Sequence, residues 1–336
     1  MRATAPIKLA AIGGGTGLST LLEGLKSYIK PPAPQISLTA IVTVTDNGNS
    51  SGRLRDEFAV LPPGDLRNCL VALSNEDALM TRLFRHRFPG QGALGGHALG
   101  NLIILALNQL SGNFFMAIEQ AREMLGINAR VLPSTLDRVD LAARVGNRVV
   151  KGQVAIKQQP TPQTGHRAEP IHELALIPPD ARALPAAVEA ILQADLITLG
   201  PGSLFTSVIA NLLVTEIAQA LAVSKARKIY ICNAMTEFNE TDGYSAMDHV
   251  RQVVTYAPEL RLDYALFNSA PISTEMRERY AAEKAVALEP PSEPAVRLRP
   301  DSTEIKLVSW PLASESRFVR HDPKRLSQAI FEIYSR

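Results

Sequence analysis

Positions 7–12 (IKLAAI) are apolar apart from Lys8 and stop at three glycines, after which Leu18, Leu21, Leu22 and Leu25 recur at helical spacing toward Ile29. A β-branched run, SLTAIVTVT, follows at 37–45, so the first 45 residues read as strand, turn, helix and strand, a βαβ unit with a parallel pair. The polar packet TDNGNSSGRLR then interrupts the pattern as a loop. Helical spacing returns at about 65–75, 77–88, 98–110 and 114–125, broken by PPGD, FPGQGALGG and SGN. Between 129 and 177 the pattern turns β-rich in ARVLP, VDLAARV, RVVKGQVAIKQ and IHELALIP, around the polar turn PTPQTGHRAE, which predicts a small antiparallel element appended to the main sheet. From 185 the alternation resumes, with helices at 185–193, up to 223, at 245–256, 273–284 and 323–335. Strands are predicted at 195–200, 228–233, 263–268 and near 305–309, and the Pro-rich stretch 288–300 is a surface connection. The whole predicts one α/β domain over 1–336 with a mostly parallel sheet, a helical insertion at about 64–126 and a β-rich insertion at about 129–177.

Composition narrows the function classes. Apolar residues are 46% and charged residues 20% of the 336, ordinary for a folded globular chain. A formal net charge of +2 provides no broad basic field, which argues against nucleic acid as partner and for local recognition of a small anion. Two cysteines, Cys69 and Cys232, make neither a disulfide framework nor a C-x-x-C site. The N-terminal apolar stretch meets glycines too early for a signal peptide, and the longest later run, LIILAL at 102–107, is too short to span a bilayer; we expect a cytoplasmic protein without membrane insertion.

Candidate chemistry gathers where predicted strands end, the place at which open parallel sheets bind ligands. GGGTGLS at 13–19 has the glycines that let backbone N–H groups approach a phosphate at a helix N-terminus. It is neither a P-loop, lacking the Lys, nor a dinucleotide fingerprint, because Leu18 stands where the third glycine belongs and Asp46 lies 33 residues after Gly13 instead of about 20. A dinucleotide-dependent dehydrogenase is thereby set aside. In the polar packet, Asp46 could accept a sugar hydroxyl, ligate Mg²⁺ or act as a base, and Ser50, Ser51 and Arg53 could bind phosphate oxygens; the bland alternative is an Asx turn and a helix cap. Asp65 in PPGDLRNCL is a plausible N-cap, with Arg67 facing the cleft. His97 in GGHALGN could donate to an anion or work as acid or base. In GPGSLFTS at 200–207, the amides of Gly202 and Ser203 and the hydroxyls of Thr206 and Ser207 would make a second anion pocket, and no G-x-S-x-G elbow is present. Asn233, Thr236, Glu240 and Thr241 form a further polar loop ahead of Asp248 and His249.

Together, IGGGTGLSTLLEGLK, IVTVTDNGNSSGRLRDE, PPGDLRNCLVAL, GHALGNL, ADLITLGPGSLFTSVIANLLV, IYICNAMTE and ETDGYSAMDHV resemble the CofD-like superfamily, most closely its bacterial YvcK-type members, called gluconeogenesis factors. The resemblance runs from about residue 7 to 335. It implies a Rossmann-like α/β domain, a nucleotide diphosphate conjugate as ligand, and a homo-oligomer. The CofD members transfer a phospholactyl-type group to a deazaflavin with Mg²⁺; the YvcK type is associated with gluconeogenic growth, cell shape and UDP-sugars such as UDP-N-acetylglucosamine, with no reaction implied. The implied ligand-binding set is Gly13, Gly14, Gly15, Thr16, Gly17, Leu18, Asn47, Ser50, Ser51, Gly52, Arg53, Asp65, Arg67, Asn68, Gly100, Asn101, Gly200, Gly202, Ser203, Thr206, Asn233 and Thr236. Two departures stand out. Where the family commonly reads TVADDGGSSGRLR, this chain has Asn47 and Asn49, which removes one carboxylate from a two-acid metal site. Where the family has MTQPGETDGYS, it has Glu237, Phe238 and Asn239.

The leading expectation is a nucleotide-sugar-binding regulator whose unknown partners would include other proteins. The rival is a Mg²⁺-dependent transferase, in which Asp46 holds the metal and Asp46 and His97 are the catalytic pair.

Overall fold

In the computed structural model, which describes residues 5–30, 35–158, 170–299 and 302–336, the apolar run at the start forms β1 (Ile7–Gly13) and the next β-branched run forms β2 (Ile36–Val42). They pair in parallel, Ile7 opposite Ile36 through to Gly13 opposite Val42. The helix Gly15–Leu25 crosses between them and buries Leu18, Leu21, Leu22 and Leu25, the four leucines that its spacing singles out. The remaining strands are β3 (Arg130–Pro133), β4 (Asp140–Val145), β5 (Arg148–Lys151), β6 (Ile171–Ile177), β7 (Leu196–Leu199), β8 (Arg227–Ile231), β9 (Tyr264–Asn268), β10 (Ala295–Val296), β11 (Ile305–Trp310), β12 (Ala313–Glu315) and β13 (Val319–His321).

Eight of them make one sheet in the order β10-β11-β9-β8-β7-β1-β2-β3, parallel throughout except for β10. The order runs one way from β1 through β2 to β3 and the other way from β7 to β9, so β1 and β7 flank a switch point. Every residue of β7 is buried, as expected of a strand covered by helices on both faces. The closing helix Pro323–Ser335 starts with Pro323 in its first turn and Asp322 as cap, accepting from the N–H groups of Lys324 and Arg325. It packs on the first helix where Gly24 allows close approach: a Cβ there would collide with the Pro323 carbonyl. Among the described residues no single helix is long and apolar enough to cross a membrane; the apolar pair Leu204–Leu212 and Thr215–Val223 bends by 74° and contributes heavily to the core.

Four expectations are corrected. ARVLP does not join the antiparallel element; as β3 it extends the main sheet in parallel beside β2, because the helix Phe114–Met124 carries the chain back across the sheet before it. The antiparallel element is a separate sheet, β5-β4-β6, and the turn PTPQTGHRAE lies outside the described residues. The second half of the polar packet is a helix, Asn49–Phe58, which buries only Leu54 among large apolar side chains and so has no apolar stripe to announce it. The segment QVAIK, part of a stretch with strand character, is the short helix Gln153–Lys157. Its first turn is capped by the Asn47 carboxamide, whose oxygen accepts from Val154 N–H at 3.0 Å across 107 residues of chain, a partner no local pattern discloses.

Candidate functional site

At the switch point, the carboxyl ends of β1, β7 and β8 open into a cleft of ≈ 400 Å³. Gly14, Gly15, Thr16 and Gly17 form one wall and Pro201, Gly202, Ser203 and Ser207 the opposite one. Asp46 and Asp65 lie on its border, Asn233 to Glu237 close it beyond β8, Lys157 enters from the short helix, and Val319, Arg320 and His321 reach in from β13. A cleft of this size and lining suits a small polar ligand.

The glycine loop is built for close approach. Gly15 has φ +60, a left-handed conformation that favours glycine, and its N–H donates to Asp65 Oδ2 at 2.8 Å. A Cβ on Gly17 would stand 2.5 Å from the Pro201 carbonyl oxygen, so the two walls touch backbone to backbone there. The cap residue Gly14 has no side chain, so apart from the Gly15 N–H held by Asp65 the first turn of the helix Gly15–Leu25 keeps its partial positive charge at the cleft. Gly13, by contrast, is the buried end of β1, its carbonyl accepting from Asn211 and from Thr43 N–H, and Leu18 is wholly in the core.

Asp65 is not the cap of its own helix. It sits in the first turn of Gly64–Leu73, whose cap position is Pro63, and reaches across to Gly15. Burial, and then the charge of Asp46, push its carboxyl up to about 6. Asp46 closes an Asx turn, accepting from Gly48 N–H through Oδ1 at 2.9 Å. The acid beside Asp46 is therefore Asp65, nineteen positions on, while Asn47 is turned away to cap the helix that carries Lys157.

The wall at 200–207 is occupied by side chains. Ser203 Oγ donates to Glu237 Oε2 at 2.7 Å and accepts from Lys157 Nζ at 2.8 Å. Thr206, fully buried, donates to Glu240 Oε1 at 2.7 Å, and Glu240 Oε2 accepts from Phe205 N–H at 3.2 Å. Gly202 N–H is directed to Asn233 Oδ1 at 3.3 Å, and Asn233 donates in turn to Glu237 at 3.0 Å. Lys157 lies 3.2 Å from Glu240 and 3.4 Å from Glu237. Burial alone would lower its pKa, but the two carboxylates outweigh that and raise it, while burial raises that of Glu240. Thr206 is thus consumed inside the wall, and Gly200, at φ +82, shapes the turn without lining the cleft. Thr236 lines it while its hydroxyl accepts from Val286 N–H.

The remaining predicted residues assemble elsewhere. Asn101 donates to Ser50 Oγ at 3.0 Å, which leaves the Ser50 hydrogen for His97 Nδ1, also at 3.0 Å. Burial, and then Arg53, hold the His97 imidazole below its ordinary pKa. None of these three borders the cleft, so His97 does not meet Asp46 there as a catalytic partner. Ser51 is buried beside Gly64, and Gly52 is required because a Cβ would strike the Asn47 backbone. Arg67 is buried, bonded to the Phe84 carbonyl at 3.2 Å and to Asn68 Oδ1 at 2.6 Å, and Gly100 makes room for the Phe84 carbonyl and the Arg67 side chain. Burial, and then the charge of Arg87, bring Arg67 down to about 10.

Lys157, Glu237, Arg320 and His321 border the cleft without having been singled out for ligand contact. Lys157 and the β13 pair lie on elements too short to carry a period; Glu237 was visible only as a departure from the family's Gln. His321 is pushed down to about 4 by burial and is neutral near pH 7. Arg320 is exposed and, among the described residues, has no carboxylate partner.

The comparisons agree with this architecture. The sequence model described as 2-phospho-L-lactate transferase CofD matches residues 9–306. The gluconeogenesis factor of Halalkalibacterium halodurans is 38% identical over 330 residues, covering 96% of this chain and 95% of its own. That of Bacillus subtilis is 38% identical over 327 residues, covering 97% and 98%. A crystal structure of a Bacillus halodurans protein superposes with a TM-score of 0.86 at 37% identity, covering 97% of this chain and all of the other. This chain therefore belongs to the CofD family and stands among its members of the gluconeogenesis-factor type.

Proposed function

We propose that the cleft binds a nucleotide diphosphate conjugate of the UDP-sugar class, and that the protein is a ligand-responsive regulator linked to gluconeogenic growth, central carbon metabolism and cell shape. The observation that carries the reading is the first turn of Gly15–Leu25, whose cap residue Gly14 has no side chain and in which, among the described residues, only the Gly15 N–H is taken, by Asp65, presented by a glycine loop at the switch point of a parallel sheet. The names of the relatives support the metabolic link. Lys157 is already neutralised by Glu237 and Glu240, so the cations left for a diphosphate are the helix N-terminus and Arg320 at the opposite rim.

Calorimetry with UDP-N-acetylglucosamine tests this directly. Wild type should bind, Arg320→Ala should bind about tenfold more weakly at unchanged thermal stability, and Gly15→Val should not bind; a wild type without detectable binding ends the reading.

A second reading, group transfer, is favoured by one observation: Asp46 and Asp65 share the border of the cleft closely enough for one charge to raise the other's pKa. The pair fits a Mg²⁺ ion, which takes one or two carboxylates and completes its shell with water and substrate phosphate. Asp46 and Asp65 would hold the ion, and when bound it would neutralise charge on a leaving diphosphate. Turnover of a phospholactyl-type donor with a deazaflavin acceptor and Mg²⁺, lost in Asp46→Asn, would establish it.

A further inference from the structure

A second concave site lies on the other side of the 46–50 turn. Asn49, Ser50, Arg53, Arg87 and Gly96 line an open hollow of ≈ 650 Å³ that shares no residue with the switch-point cleft. Its floor is the N-terminus of the ten-residue helix Asn49–Phe58, which no side chain caps. Its sides are two guanidinium groups, fixed by the turn at Gly95 and Gly96: Arg53 donates to the Gly95 carbonyl at 2.7 Å and Arg87 to the Gly96 carbonyl at 2.5 Å. That turn is itself fixed, since Arg87 and Ala98 form an antiparallel bridge and Phe88 exchanges backbone hydrogen bonds with Gly96 and His97. The Ser50, His97 and Asn101 network holds the helix start from behind.

Among the described residues, neither Arg53 nor Arg87 has a carboxylate within ion-pair distance, although Arg55, Arg122, Arg144, Arg182, Arg251 and Arg277 all do. Each guanidinium spends one hydrogen bond on a backbone carbonyl and keeps the rest of its donors for the hollow. The acid acting on neighbouring His97 is Glu57, at the far end of the same helix, and behind the wall Arg67 feels the charge of Arg87 ahead of those of Asp65 and Asp46. Both guanidinium groups are exposed, so water screens their mutual repulsion, and an anion held between them and the helix N-terminus would gain charge-assisted hydrogen bonds from both.

We propose that Arg53, Arg87 and the first turn of Asn49–Phe58 form a second anion site, distinct from the switch-point cleft, which takes the phosphate group of a small molecule. Two planar forks and a set of backbone N–H groups converge from three directions, matching the three terminal oxygens of a phosphate monoester better than the two of a carboxylate. The modest net charge of the chain leaves no wider basic surface for a nucleic acid to follow. Because the two sites are separated only by the 46–50 turn, a ligand in each would bring its phosphate-bearing end against the same loop.

Chemical modification reads the site without relying on the switch-point ligand. The full-length protein is treated with phenylglyoxal in the presence and absence of millimolar inorganic phosphate, and modified peptides are quantified by mass spectrometry, with exposed Arg138 as internal control. Phosphate should slow modification of Arg53 and Arg87 by about tenfold relative to Arg138, the protection should persist in Gly15→Val, and in Arg87→Ala the protection of Arg53 should fall to the level of Arg138. Equal rates at all three arginines with and without phosphate would overturn the proposal, as would protection that disappears in Gly15→Val while surviving Arg87→Ala. Failure of UDP-sugar binding alters none of these outcomes, so the two proposals stand or fall separately.

Discussion

The walls of the cleft read alike and behave differently. GGGTGLS and GPGSLFTS both follow a buried strand, both carry glycines and hydroxyl side chains, and both lead into helical structure. The first wall meets one acid, Asp65, which takes the Gly15 N–H and leaves the rest of the helix's first turn without a side-chain acceptor. The second meets two, Glu237 and Glu240, which take up Ser203, Thr206, Phe205 N–H and Lys157. An anion-binding composition becomes an anion site only where tertiary neighbours leave its donors unspent, because each buried donor is satisfied by whichever acceptor reaches it first.

The largest test of this contrast removes the acid that closes the second wall. Glu240 has no exposed side-chain surface and is the partner of Lys157, Thr206 and Phe205 N–H, so Glu240→Ala should cost about 3 kcal/mol in denaturant unfolding. An effect near zero would mean that the wall is not held by this acid.

The first wall should respond to pH instead. Asp65 is raised from the ordinary 3.8 to about 6, so its contribution to stability is fully present below 3.8 and is lost as pH rises through about 6. Wild type should therefore lose about 2 kcal/mol between pH 4 and 7 that Asp65→Asn does not lose, measured as the difference between their urea unfolding profiles. Anionic ligands should likewise bind wild type more tightly below pH 6, an increase absent in the variant.

The smallest effect is the most specific. Glu237→Gln restores the residue common in the family, releases half of the carboxylate charge around Lys157 and should tighten binding of an anionic ligand about threefold, with little change in stability because both partners are a third exposed. Unchanged affinity would assign the charge of Lys157 wholly to Glu240.

Much of the architecture was legible in the chain, and the reasons are local. The strands of the βαβ start and of the β7 to β9 series are short, mostly apolar or β-branched runs, and the helices 99–111, 185–193 and 323–335 carry either an apolar stripe or a strong cap. The helix Asn49–Phe58, the five-residue helix at Lys157 and the β12–β13 hairpin escaped because they are short or polar and are stabilised by contacts from distant chain. The glycine loop, Asp46, Ser203, Asn233 and Thr236 were found from their position at strand ends. Asn47 shows the limit: as a lost carboxylate it reads like a weakened metal site, whereas in the fold it is a helix cap and Asp65 stands as the second acid.

By itself, the sequence determined the class of sheet, the crossover helices and the strand ends that line the cleft, since these follow from hydrophobic periodicity and from where glycine interrupts it, while its ordered motifs carried the resemblance to the family. Only the tertiary structure decided which polar groups remain free. It sent Thr206 and Ser203 to Glu240 and Glu237, brought Arg320 and Lys157 into the cleft from remote elements, and moved Ser50, His97 and Arg53 to the far side of a turn. The physical reason is that burial is set by local pattern, while the partner of a hydrogen bond or a charge is set by whatever the fold places within about 3 Å of it.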